Sequence, residues 1–244
     1  MEYKIISGRT VEIVRARRRI DDADLAKRRN KKASASSAAK TERNERDAVR
    51  NLARLINCNF GRGDLWVVLN FEDAALPTDE AAAKKEVAKL LRKLRGGEEL
   101  RYIYAIGQKN PRTGKQTRLH VHMILPQGLG ERVDELWTMG NVSIRRLDRR
   151  GDYTGVARYM IGNATTGVGG GQRRYVPSRN LQKPIYTEPV ECRISDRVRI
   201  PRSASVKEQQ RITDSESGAQ SYYLRYTNAA GVDGEGYRRV RWDE

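Results

Sequence analysis

The order of elements along the chain predicts an α+β fold in which helices pack on one face of a mostly antiparallel sheet. Three observations carry this expectation. Between residues 65 and 163 the sequence reads strand, helix, strand, strand, helix, strand, helix. The two middle strands flank Asn110-Pro111-Arg112-Thr113-Gly114, a turn sequence short enough for a hairpin and too short for a crossover. The second strand of that hairpin, Arg118 to Leu125, alternates: Leu119, Val121, Met123 and Leu125 share one face, and His120 and His122 lie side by side on the other.

Residues 1 to 14 alternate weakly through Tyr3, Ile5, Val11 and Ile13, with Ser7-Gly8 as a turn, and read as a small hairpin or an extended arm. From Arg15 to about Asn57 the chain is rich in Arg, Lys, Ala, Ser and Glu, with Arg17-Arg18-Arg19 and Lys27-Arg28-Arg29-Asn30-Lys31-Lys32 as the densest clusters. One or two helices, broken near Ser34-Ala35-Ser36-Ser37, fit that composition. The part from Glu45 to Ile56 carries Val49, Leu52, Ala53 and Ile56 on one face and should dock on the main body. Residues 1–57 therefore form a basic N-terminal arm and helical region.

Leu65 to Phe71 is nearly continuously apolar, as expected of a central strand covered on both faces. Thr78 is the expected cap of the next helix, whose buried stripe is Val87, Leu90, Leu91 and Leu94 and whose stop is Gly96-Gly97. Leu100 to Ile106 is the strand that pairs with the histidine strand. Gly130 to Trp137 reads as a short helix and Asn141 to Leu147 as a strand. Tyr153 to about Asn163 is a helix burying Val156, Ala157 and Met160. Residues 58–184 make the core on this reading. Residues 185–244 hold short strand-like runs, Ser221 to Tyr226 and Tyr237 to Trp242, expected to form a tail or a small hairpin extension rather than a second core.

The 244 residues carry a formal charge of +17, which points to a polyanion, with nucleic acid as the default. No run of 18 or more apolar residues occurs and the N-terminus lacks a signal-peptide layout, so the expectation is a cytoplasmic protein with no membrane association. Cys58 and Cys192 are the only cysteines and lie far apart, which excludes a zinc finger and a disulfide framework.

His120 and His122 are the only histidines in the chain. Two imidazoles on one rigid strand provide half a coordination sphere, although a His-x-His pair alone is more often a packed or solvated pair. Tyr159 follows His122 by thirty-seven residues, on a helix that must cover the same sheet. A phenol, with a reference pKa of about 10, is a poor nucleophile at neutral pH unless a cation withdraws charge from the phosphorus it attacks. Its attack would leave a phosphotyrosine ester, from which the strand can be resealed without ATP. Tyr153 is the rival, but about 120° separates the two phenols around the helix, and Tyr153 shares the apolar stripe, where packing is its expected role.

The ordered set of Trp66 to Phe71, Tyr102 to Gln108, His120-Val121-His122, Leu136-Trp137 with Gly140-Asn141-Val142-Ser143-Ile144, Val156-Ala157-Arg158-Tyr159-Met160-Ile161, and Ser178-Arg179-Asn180-Leu181 ahead of Pro184 resembles the HUH superfamily of rolling-circle replication initiators, nearest to the replication proteins of phages and plasmids of Gram-positive bacteria. The resemblance spans residues 45 to 185. It implies an HUH endonuclease fold, a five-stranded antiparallel sheet flanked by helices. It implies metal-dependent nicking of single-stranded origin DNA, with His120 and His122 as metal ligands, Mg²⁺ or Mn²⁺ as the ion and Tyr159 as the nucleophile.

Two departures stand out. Gly162 occupies the place where the family often has Lys, a role left to Arg158 or Arg173. Gly107-Gln108 occupies the place of an acidic third ligand, so Gln108 is the first choice there, with Asn70 and Glu72 in reserve. Arg173, Arg174 and Arg179 are expected to grip phosphates and Tyr175 to stack a base. No Walker-type run is present, which assigns unwinding to a separate host helicase. The alternative is an origin- or operator-binding protein of the same descent that does not cut.

Overall fold

A computed structural model describes residues 1–16, 37–97, 99–164, 174–192, 197–213, 220–229 and 236–242. The basic clusters at 17–19 and 27–32, the expected break beginning at 34, the glycine run at 167–171 and Arg173 lie outside the described residues. In chain order the elements are β1 (Glu2–Ser7), β2 (Thr10–Ala16), α1 (Ser37–Asn59), β3 (Leu65–Asn70), a 3-10 turn (Asp73–Ala75), α2 (Glu80–Arg95), β4 (Ile103–Lys109), β5 (Gln116–Leu125) and α3 (Gly130–Leu136). They continue with β6 (Val142–Arg146), α4 (Thr154–Asn163), β7 (Val176–Pro177), β8 (Ile185–Tyr186), β9 (Arg197–Pro201), β10 (Ser205–Thr213), β11 (Gln220–Thr227) and β12 (Tyr237–Arg241). The chain divides into two units, Glu45–Gln182 and a second made from Met1–Asn44 with Lys183–Glu244.

In the unit Glu45–Gln182 five strands form one sheet in the order β6-β3-β5-β4-β7, every neighbouring pair antiparallel. Alternation along β5 works as the sequence requires. Leu119, Val121, Met123 and Leu125 enter a buried cluster with Val87, Leu90, Leu91 and Leu94 of α2 and with Val133 of α3. Ile124 points the other way, into a cluster with Val49, Leu52, Ala53 and Ile56 of α1 and Ala157, Met160 and Ile161 of α4. Helices thus cover both faces, not one as the element order suggested. The apolar stripe of α1 specifies docking on this body but no side, and its place is the face opposite α2.

Within α2 the cap is Asp79, one residue after the expected Thr78. Its Oδ1 accepts from the Ala82 backbone N–H at 2.7 Å, and Gly96 ends the helix in the left-handed region at φ 54°. The fifth strand, β7, is two residues long and left no periodic trace in the sequence.

The second unit corrects the expectation for both ends of the chain. β1 and β2 form the N-terminal hairpin, with Gly8 at φ 56° in its turn, and this hairpin is built into a five-stranded sheet of order β10-β11-β2-β1-β8. β9 and β12 pair as a separate two-stranded ribbon. Val11, Ile13, Val198, Ile200, Tyr222, Leu224, Tyr226 and Trp242 form a buried core there, so residues 185–244 are no mere tail. Pairing of β2 with β11 joins segments about two hundred residues apart, which no local pattern exposes.

Candidate active site

Register, more than any single motif, assembles this site. β5 lies between β3 and β4, which places Val68, His122 and Ala105 in one row across the sheet and Asn70, His120 and Gly107 in the next. Gly107 is required: a Cβ there would stand 2.5 Å from Nε2 of His120, so the imidazole lies over bare backbone.

The hydrogen bonds fix the tautomers. His120 Nδ1 lies 2.9 Å from the Arg118 carbonyl, and only an N–H can make that contact, which leaves Nε2 of His120 with a lone pair. His120 Nε2 and His122 Nε2 are 3.0 Å apart, so His122 supplies the shared proton. Nδ1 of His122 is then a buried acceptor without a partner. Burial, followed by the neighbouring His120, lowers the His122 pKa from 6.5 to about 3, with the Asn163 side chain pulling weakly upward. His122 is therefore neutral throughout the physiological range, the state a metal ligand needs.

Tyr159 stands on the same face. Its ring meets His122 edge-on at 5.2 Å between centroids and Trp66 at 5.4 Å, and it is 42% exposed. Tyr153, by contrast, is buried, and its Oη donates to the Asp148 carbonyl at 2.8 Å. The helix-face argument from the sequence separates the two phenols in the direction found. Asn163, four residues beyond Tyr159, donates its Nδ2 to the Tyr159 carbonyl at 2.7 Å and closes the last turn of α4.

His120, His122, Tyr159 and Asn163 line an open cleft of about 470 Å³, together with Asn70 and with Asn110 and Arg112 from the β4–β5 turn. A smaller cavity of about 170 Å³, walled by Trp66, Ser143 and Arg145, shares Val68 and Tyr159 with it. The tyrosine forms part of both walls.

The donor set admits a divalent cation. At metal–nitrogen distances of about 2.0–2.1 Å, two nitrogens 3.0 Å apart subtend roughly 90–100° at a shared ion, suited to neighbouring ligand positions. Among the described residues no cluster of three or more His, Cys, Asp or Glu side chains exists. Apart from the Tyr159 phenol, the remaining side-chain oxygen donors in the cleft are carboxamides and the Thr117 hydroxyl. Asn70 is the best placed of them: it sits opposite His120, and its backbone is held by Trp137 Nε1 on its carbonyl at 3.1 Å and by its N–H on the Asn141 carbonyl at 2.9 Å.

Gln108 does not line the cleft. It falls at the irregularity between Gly107 and Lys109, one residue out of phase with the row that faces the histidines, and Glu72 is likewise absent from the lining. Of the expected DNA contacts, Arg158 and Arg179 are exposed but line neither cavity. Arg174 is drawn to Glu45 at 3.3 Å, and Tyr175 packs against the cluster beneath α1 and α4 instead of presenting a free stacking face. Arg112, Arg145 and Trp66 were missed. Trp66 lies two residues from Val68 on the histidine side of β3, a placement readable only once the register is known. No protein-family model, no curated protein and no solved structure matches this chain.

Proposed function

We propose that Glu45–Gln182 is a tyrosine endonuclease of the HUH kind, which nicks and rejoins single-stranded DNA at a replication origin and so initiates rolling-circle replication of a plasmid or phage. The observation that carries this reading is the meeting of Tyr159 with the only two histidines of the chain in one open cleft. Tyr159 Oη bonds to phosphorus and the bond from phosphorus to the 3′ oxygen breaks. The phenolic proton passes to water and the leaving oxygen takes one up, so charge and atoms balance. Rejoining runs the same exchange backwards, and the ester bond spares the need for ATP.

With the His122 proton moved from Nε2 to Nδ1, Nε2 of His120 and Nε2 of His122, with the Asn70 carboxamide as third donor, would hold Mg²⁺ or Mn²⁺, which when bound supplies Lewis acidity at the non-bridging phosphate oxygens. His120 is oriented for this by its bond to the Arg118 carbonyl. Arg112 and Arg145, one lining each cavity beside Tyr159, would contact phosphates near the scissile bond, and Trp66 offers an aromatic surface next to the nucleophile. The chain works in the cytoplasm with a separate helicase. No helix among the described residues is long and apolar enough to cross a membrane.

A second reading, a DNA-binding protein that no longer cuts, draws support from the donor set, which has no carboxylate, and from the displacement of Gln108. One experiment separates the two. Purified protein is incubated with labelled origin-type single strands and Mn²⁺, and denaturing gels are examined for a covalent protein–DNA band. Tyr159→Phe should abolish the band, and His120→Ala with His122→Ala should abolish it while leaving salt-dependent binding in place. A band that persists in Tyr159→Phe refutes the assignment of the nucleophile. No band under any metal, with binding intact, establishes the second reading.

A further inference from the structure

β9 and β12 carry a charge pattern that folding alone does not favour. They pair in register, Val240 opposite Val198 and Arg238 opposite Ile200, and Val198, Ile200 and Val240 turn inward onto the core of their unit. The alternate residues turn outward. Arg199 lies opposite Arg239 and Arg197 opposite Arg241, all four exposed, and Tyr237 at the end of the row is 66% exposed. Neither strand contains an acidic residue. Like charges directly opposite one another on a sheet are destabilising, and Arg199 and Arg239 stand so.

A polyanion removes that cost. We infer that the outer face of this ribbon is a second DNA-binding surface, directed at the phosphate backbone of duplex DNA. Duplex fits better than single strand for two reasons. Alternate residues on a strand repeat every ~6.6 Å in a fixed plane, and a two-stranded ribbon is of a size the major groove admits. Single-strand sites use successive aromatic side chains as stacking platforms, and this face offers Tyr237 alone. The surface is independent of the chemistry at Tyr159 and would serve a nuclease or a non-cutting binder equally.

The test is fluorescence anisotropy of the full chain with a labelled DNA duplex of about twenty base pairs and with one of its strands, over a range of salt. Arg199→Gln with Arg239→Gln removes two phosphate contacts. Counterion release then predicts a fall of about 1.8 in the slope of log affinity against log salt, and binding about thirtyfold weaker at 0.15 M salt. The melting temperature should stay level or rise, because a repulsive pair has been removed. Lys85→Gln with Lys93→Gln, an equal loss of charge on exposed positions of α2, should change duplex binding by less than about threefold. Arg199→Lys with Arg239→Lys keeps the charge and should keep the slope. The inference is overturned if the glutamine pair leaves duplex affinity and slope unchanged, if the α2 control loses as much, or if single-strand binding falls as far as duplex binding.

Discussion

Lowering the pH should weaken the fold around the histidine pair by an amount traceable to one side chain. His122 is 1% exposed and its pKa lies at about 3, against 6.5 for an unhindered imidazole. Below about pH 6.5 the unfolded chain takes up a proton at this residue and the folded chain does not. The stabilisation is therefore complete above the unfolded pKa and is lost as pH falls. By linkage the loss at pH 5 is about 2 kcal/mol, and it reaches about 4 kcal/mol near pH 3. The assay is urea denaturation at pH 7.5 and pH 5.0, with a chelator present, comparing the wild-type chain with His122→Gln. Fluorescence of Trp66 and Trp137, both in the unit that holds the site, reports the relevant transition. The wild-type chain should lose about 2 kcal/mol more than the variant, which has nothing to titrate at that position. Equal losses in the two proteins, or a His122 resonance titrating near pH 6 in the native state, would refute the burial argument.

Gly107→Ala should push the His120 ring off its seat, because the new Cβ would stand 2.5 Å from Nε2. Calorimetry should show Mn²⁺ binding weakened at least tenfold, with a loss of stability of about 1–2 kcal/mol. Tyr153→Phe removes a buried hydroxyl bonded to the Asp148 carbonyl, and thermal denaturation should register about 1 kcal/mol with covalent adduct yield unchanged. Gly162→Lys brings an amine to the end of α4, yet its Cβ would lie 2.9 Å from Cβ of Pro111. A stability loss of about 1–3 kcal/mol in urea, with no gain in adduct, is expected; a gain would show that the missing amine limits the reaction.

Much of the core unit was legible because its information is local. Alternation in β5, the 3.6-residue stripe of α2 and the turn residues after β4 each declare themselves within ten residues or so. The meeting of His120, His122 and Tyr159 on one face followed from two such periods. What escaped was either long-range or short. β2 pairs with β11 across the length of the chain, β7 is two residues, and the phase of Gln108 depends on an irregularity within the β4–β5 ladder that leaves no compositional mark. Tyr175 resembled a displayed base-stacker in the sequence, since nothing local says that the space beneath α1 and α4 must be filled there.

The β4–β5 hairpin links Gly107 beneath His120 to Gly162 at the end of α4. Its turn is rigid: Asn110 Oδ1 accepts from the backbone N–H groups of Arg112 at 2.9 Å and Thr113 at 3.2 Å, its N–H donates to the Lys115 carbonyl at 2.8 Å, and Gly114 takes φ 69°. From one end of this hairpin Gly107 gives His120 its seat, and from the other Pro111 presses against Gly162 at the end of α4. The same turn therefore touches the strand that bears the imidazoles and the helix that bears the phenol. A lysine at 162 would force these two supports apart, whereas glycine lets backbone packing fix the distance between Tyr159 and the histidine pair. With no carboxylate among the side chains lining the cleft, a cation held there would keep its charge toward an anion, and Arg112 lines the same cleft. On the function proposed above, the hairpin would supply rigid placement of the imidazoles and the phenol, and the substrate phosphate would complete the donor set.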